Sequence, residues 1–285
     1  MTNKYVFSGH ESFSCKSLWL KRGYDFLAHG CNFNSPDSVI QLGVGKNMVL
    51  SIRYWLRAFT LTINDELSPI ADYIFNDKNG VDPYMEDLGT LWLLHFLLVT
   101  GGEATLYNWM FLRLQKERKE FTRSQVVNTV RRYMVEAGKM KTFNENTTKK
   151  DVAVLLQNYV EPSKAHSFEE YTSLLLDLNL IRTSDEGKSY QFNIEGKRQL
   201  PLEIYIYAII EWKADNLSVD FSSLQDLGLV FCLSDMETIA MLQQASEIYP
   251  DLMHYSDVAG VRQLQFLKRV EAQIFLDKYY THEEN

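Results

Sequence analysis

Between Pro36 and Phe75 the chain strings together elements in an order that few folds accept. Ser35 or Asp37 can cap a short helix, and Pro36 suits its first turn. Gly43 and Gly45 then permit a tight turn between crossing helices. From Lys46 to Phe59 a longer helix is expected, because Val49, Ile52, Leu56 and Phe59 fall on one stripe at about 100° per residue. Leu61–Ile63 and Leu67 read as short strands around Asn64-Asp65-Glu66, and Ser68-Pro69 opens another helix ending near Phe75. Helix, turn, helix, hairpin is the order of a winged helix-turn-helix, a module that commonly docks on duplex DNA. In that arrangement Asn47, Ser51 and Tyr54 would face base edges, with Lys46, Arg53 and Arg57 on phosphates. The hairpin tip carries two acids and no Lys or Arg, so it is not suited to clamping phosphates.

Charge qualifies the DNA reading. The 285 residues carry a net −8, unlike a protein that coats nucleic acid. The distribution is uneven: residues 111–150 hold eleven Lys/Arg against four Glu, a local +7. A second basic anchor at Arg123, Arg131 and Arg132 is therefore expected to accompany any groove contact, although a solvated helix face accounts for those side chains equally well.

The rest of the chain reads as mainly α, with several winged helix-turn-helix-like units and short β-hairpins around a helical middle. Three segments follow from turn signals: 1–80, a basic helical middle at 81–162, and 163–285. Helices are expected over Asp87–Val99 and Glu103–Lys116, divided by Gly101-Gly102. Thr122 with Gln125 makes a capping box for a helix through Ala137. Thr148 with Asp151 signals another helix through Tyr159. A second hairpin unit is expected after Pro162, with a helix from Ser167 to about Asn179, strands at Ile181–Thr183 and Tyr190–Ile194, and a helix at Leu202–Lys213. Ser234–Ile248 reads as helix, Leu252–Tyr255 as strand and Leu264–Tyr280 as largely helical, a third possible unit.

Catalytic and cofactor signatures are lacking. Gly43-x-Gly45-Lys46 is followed by Asn47, and a helix rather than a strand precedes it, so it is not a phosphate loop. The pairs His10–Glu11 and His29–Cys31 match no metal spacing, and the three separated cysteines form neither a zinc set nor a disulfide framework. The most apolar run, Leu88 to Thr100, is too short to span a bilayer and contains His95, and no secretory signal pattern opens the chain, so a cytoplasmic protein is expected.

The blocks FSGHESF (Phe7–Phe13), LGVGKNMVLSIRYWLRAF (Leu42–Phe59), LSPIADYIF (Leu67–Phe75), DPYMEDLGTLWLLH (Asp82–His95) and DVAGVRQL (Asp257–Leu264) resemble the bacterial family known as domain of unknown function 4007. Ser14 stands where that family usually has proline. Members are typically found in genome-defence islands, often beside enzymes of DNA phosphorothioation. The resemblance implies an accessory, DNA-contacting component of a modification or anti-phage system, and no catalytic residues. Its partners would be double-stranded DNA and other subunits of the complex, with no membrane. A protein-docking adaptor for such a complex and a regulator of its own locus are the alternatives.

Overall fold

The structure, a computed structural model, describes residues 5–162, 172–184, 187–194, 196, 199–258 and 260–283. The chain divides into two compact units, Met1–Asn193 and Ile194–Asn285. Both are mainly helical, with small antiparallel sheets.

In the first unit an extended N-terminal segment leads into α1 (Trp19–Ala28), α2 (Ser38–Leu42) and α3 (Lys46–Ala58). Gly43 caps α2 with φ 63°, a left-handed conformation that glycine adopts without a Cβ penalty. A two-residue hairpin follows, β1 (Thr62–Ile63) paired with β2 (Glu66–Leu67). Asn64 and Asp65 at its tip have φ 53° and 66°, the pair of positive angles that a type I′ turn needs and that Asn and Asp tolerate. Next come α4 (Pro69–Phe75) and α5 (Leu88–Thr100). Buried side chains run almost all round α5, which explains its lack of amphipathic pattern.

The second half of this unit starts with α6 (Thr105–Trp109), which continues through a π-helical turn at Met110–Leu114 into α7 (Gln115–Glu117). A two-residue strand β3 (Glu120–Phe121), α8 (Arg123–Glu136), α9 (Glu145–Tyr159), β4 (Ile181–Ser184) and β5 (Ser189–Phe192) complete it. The sheet order is β3-β5-β4, all antiparallel. The capping box expected at Thr122 and Gln125 starts α8. Changing Thr122 to Ala is expected to lower stability by about 1 kcal/mol, seen as a lower urea midpoint; an unchanged midpoint would show the cap to be dispensable. Helix α9 starts earlier than Thr148 suggested, because the Asn144 side chain accepts from the Thr147 amide and serves as the cap. The helix expected from Ser167 to Asn179 begins outside the described residues. From Thr172 onward there is instead a single bridge between Ser173 and Lys16 and one 3-10 turn at Leu176–Leu178.

The second unit contains α10 (Leu202–Lys213), β6 (Ser218–Asp220), α11 (Phe221–Val230), α12 (Asp235–Ile248), β7 (Met253–Val258), β8 (Val261–Phe266) and α13 (Gln273–Glu283). Its sheet order is β6-β8-β7, the same helix-flanked arrangement as in the first unit. The helix expected across Leu264–Tyr280 is corrected here: Val261–Phe266 is strand, and only Gln273 onward is helical. Alternation explains the difference, since Leu264 and Phe266 are buried and Gln265 between them is exposed. Among the described residues no helix is long and apolar enough to cross a membrane.

Candidate nucleic-acid interface

Burial of α3 is set from a distance in sequence. The Phe7–Phe13 segment lies against it, with left-handed backbone at Ser8, Gly9, Glu11 and Ser12 on either side of a buried His10. His10 Nδ1 accepts from the Ser12 amide at 3.2 Å, so Nε2 carries the proton and donates to Asp151 Oδ1 of α9 at 2.9 Å. The second Asp151 oxygen accepts from the Ser8 amide at 3.2 Å. Ser51 Oγ donates to the His10 carbonyl at 3.0 Å. The His10 ring stacks on Trp55 and meets Tyr54 edge-on. Nearby, Asn158 joins the Cys15 amide to the Tyr107 hydroxyl. This polar cluster has its donors and acceptors matched, and it ties the N-terminal segment to α3 and α9.

That arrangement corrects the expected DNA-facing surface of α3. Ser51 is fully buried and Tyr54 nearly so, hence neither reaches a base edge. Burial first, and then the Asp151 carboxylate, push the Tyr54 phenol pKa well up, which keeps it neutral. What α3 leaves outside is a stripe at helical spacing: Lys46, Leu50, Arg57 and the half-buried Arg53, with Asn47 beside it. Arg53 is held by Asp65 of the hairpin, Nε to Oδ1 at 2.9 Å, and by Asn34 at 3.0 Å. Arg57 pairs with Glu103 at 3.0 Å and lies over the Tyr54 ring. The acidic hairpin thus has a local task, holding Arg53. Lys46 and Asn47 are exposed on the first turn.

The basic helices are similarly laced. Arg123 stacks over Tyr190 and donates to its hydroxyl at 3.1 Å. Arg131 pairs with Glu145, and Arg132 with Glu117 and Glu136. The hydrogen bond from Arg132 holds the Glu117 carboxyl below the usual range against the opposing effect of desolvation. Of the three arginines expected as a second anchor, none is a free cation.

More suitable groups lie on α9, which no sequence motif singles out. Asn146, Lys150, Ala153 and Gln157 follow i, i+4, i+7 and i+11, a single outward stripe, and all but the half-buried Ala153 are exposed. Lys149 is exposed beside it and bonds Glu145 at 2.8 Å. The opposite face supplies Asp151, Leu155, Asn158 and Tyr159 to the core, so the outward stripe is rigidly presented. Exposed Arg182 and Thr183 on β4 and Lys188 beside β5 belong to the adjoining hairpin. Asn, Lys and Gln are residue types that pair with base edges and phosphates. The adjacent Lys149 and Lys150 are the sequence signal for this face, and among the many basic residues of 111–150 that signal does not stand out.

Burial raises the Cys15 thiol well above its ordinary range, the opposite of an activated nucleophile. Among the described residues no three His, Cys, Asp or Glu side chains converge as a metal set.

A family model described as "Protein of unknown function (DUF4007)" matches residues 7–280. Two solved structures are similar, titled "Magnesium ion-bound SspB crystal structure" and "SspB crystal structure", with TM-scores of 0.85 and 0.84. Each shares 25% identity and covers 98% of this chain and 88% of its own. No curated protein matches.

Proposed function

The chain belongs to the DUF4007 family, and on that premise we propose that it docks on duplex DNA as an accessory component of a bacterial DNA-modification or anti-phage system. The observation that carries this reading is the element order β3-α8-α9-β4-β5 with sheet order β3-β5-β4. A winged helix has this topology, and its second helix is the one inserted in the major groove. That helix is α9, whose outward stripe of Asn146, Lys150 and Gln157 is built for base edges and phosphates. Lys149, Arg182 and Lys188 would contact phosphates from the flanks, with Lys46 and Asn47 of α3 as further contacts. Arg53, Arg57, Arg123, Arg131 and Arg132 act mainly within the fold. The family resemblance and the similarity to SspB support placement in a phosphorothioation-linked complex with other subunits. The magnesium ion belongs to that solved SspB structure.

Fluorescence anisotropy with a labelled duplex at several salt concentrations tests the reading. A Lys149→Ala/Lys150→Ala/Lys188→Ala variant is expected to bind more weakly on every sequence. Its log K against log salt slope should fall by about one for each phosphate interaction removed. An unchanged slope, or no binding by the wild type, would contradict it. Asn146→Ala should instead relax sequence preference while leaving the slope unchanged.

The adaptor reading has one observation in its favour. Residues 194–285 carry 7 Lys/Arg against 15 Asp/Glu, so the whole net −8 belongs to the second unit. Its α12, topologically equivalent to α9, has three acids and no base, which unsuits it to DNA.

A further inference from the structure

Beside α1 the first unit has a cavity of about 380 Å³, set between that helix, α2 and the turn joining α4 to α5. Cavities that hold small organic ligands run from roughly 300 to 1,000 Å³. Buried Phe26 and Leu42 line it with apolar surface, and Leu18 and Tyr84, 51% and 59% exposed, extend that surface outward. The Tyr84 ring stands on a fixed backbone. The Asp82 carboxylate accepts from the Glu86 and Asp87 amides at 3.0 Å each, and the Asp82 carbonyl accepts from the Met85 amide at 3.2 Å.

The polar groups of the lining fall into two sets. Lys21 is committed to the fold, its Nζ donating to Asp25, to Asp77 and to the Phe75 carbonyl, so all three of its N–H groups are taken. Arg22, Gln41 and the Tyr84 hydroxyl make the other set. All three residues are exposed, and among the described residues these side-chain groups have no hydrogen-bond or ion-pair partner. His29 Nδ1 donates to the Asp25 carbonyl at 2.6 Å, which leaves Nε2 as a further acceptor. An unpaired guanidinium, a free amide and an exposed ring therefore share one apolar cavity.

We propose that this cavity binds one nucleotide, with its base against Tyr84, Phe26 and Leu42 and its phosphate on Arg22. Bases stack on tyrosine rings and offer their edges to hydrogen-bonding side chains once they are out of a duplex. The Gln41 amide, a donor and an acceptor side by side, suits such an edge. The Arg22 guanidinium suits a phosphate, whose oxygens accept two parallel hydrogen bonds from it. An inorganic anion would leave the apolar lining uncovered, and an uncharged ring would leave the guanidinium without a partner. The nucleotide is either a free mononucleotide or one residue unstacked from a single strand, since both present the same groups. None of the α9 stripe takes part, so the site stands or falls independently of duplex docking.

Isothermal titration of the full chain with the nucleoside 5′-monophosphates, the matching nucleosides and inorganic phosphate provides the test. At least one monophosphate is expected to bind one to one, with its nucleoside and inorganic phosphate each at least about tenfold weaker. Arg22→Ala and Tyr84→Ala change exposed side chains, so folding should be unaffected, which circular dichroism checks. Each is expected to weaken the monophosphate at least about tenfold. Arg22→Ala should leave nucleoside binding unchanged, and Tyr84→Phe, which keeps the ring, should bind nearly as the wild type does. The Lys149→Ala/Lys150→Ala/Lys188→Ala variant should bind the monophosphate normally, which separates this site from duplex docking. A short single-stranded oligonucleotide that displaces the monophosphate at lower concentration assigns the site to a strand, and one that does not displace it assigns the site to the free nucleotide. A chain that binds none of the monophosphates overturns the proposal. So does inorganic phosphate binding as tightly as they do, or Arg22→Ala and Tyr84→Ala variants that bind as the wild type does.

Discussion

Trp55→Ala is expected to lower the stability of the first unit by about 3 to 5 kcal/mol, a large fraction of what holds a unit of this size folded. Trp55 is fully buried, and its indole lies among His10, Tyr54, Phe59 and Tyr107. Its Nε1 donates to the Phe13 carbonyl at 3.2 Å, so the same side chain fills the core and fastens the N-terminal segment. Truncation removes the ring, leaves a cavity and orphans that carbonyl. Trp55→Phe keeps most of the volume and loses the hydrogen bond, and about 1 to 2 kcal/mol is expected. Urea titrations followed by circular dichroism would separate the two. Equal small losses for both variants would mean that the ring is not central to packing.

Asp151→Ala should cost about 3 kcal/mol. The residue is buried, and its oxygens accept from His10 Nε2 and from the Ser8 amide. Alanine leaves both donors without acceptors, whereas His10 keeps its place against Trp55. Asp151→Asn retains one acceptor but turns an amide NH2 toward one of the donors, so an intermediate loss is expected. The N-terminal segment should loosen first, and amide exchange at residues 8–14 reads that directly. A loss under about 0.5 kcal/mol, within the range of ordinary surface substitutions, would show that the pair does not hold the segment down.

These two residues mark the boundary of what is legible in the sequence. The helix from Lys46 onward is legible, because apolar spacing and the Gly43–Gly45 turn define it locally. Its buried face is only half legible. Val49, Ile52 and Leu56 announce one side, but Ser51 and Tyr54 are covered by His10 and its neighbours, and that placement depends on Asp151, 141 residues from His10. A polar residue buried by so remote a partner leaves no local periodic signal. Strand β3 is equally hidden: Glu120 and Phe121 sit at the end of a run of charges, and two residues cannot show alternation. Without it, sequence order groups the hairpin at Ile181–Phe192 with residues after Pro162, whereas it pairs with β3 beside α8 and α9. That is why α9 does not emerge from the sequence as a site, since a helix is only a candidate reader once its strand partners are known. The second unit shows a related limit. Leu264 and Phe266 alternate correctly for a strand, but six residues between Gly260 and Leu267 compete with a longer helical pattern downstream.

Charge is redistributed by folding in the same way. The local +7 over residues 111–150 suggests a broad phosphate surface, but Arg123, Arg131 and Arg132 are each engaged by an aromatic ring or a carboxylate of the same unit. Surface pairs of this sort contribute little stability, roughly 0 to 1 kcal/mol each. Their effect is to neutralise Arg131 and Arg132 and to hold Arg123 in place, while several lysines stay accessible. Lys150, Lys139, Lys141 and Lys188 are exposed.

Site-specific cross-linking gives the most direct view of the claim that α9 meets the groove. A photoreactive amino acid would replace Lys150 or Gln157, both on the outward stripe, and in a third variant Met236 on the acidic helix α12. Each variant would be irradiated with a labelled duplex at low salt, after anisotropy had shown that it binds. Cross-links to DNA from positions 150 and 157, and none from 236, are the expected result. Cross-links from 236 alone, or bound duplex that cross-links from neither 150 nor 157, would contradict docking through α9.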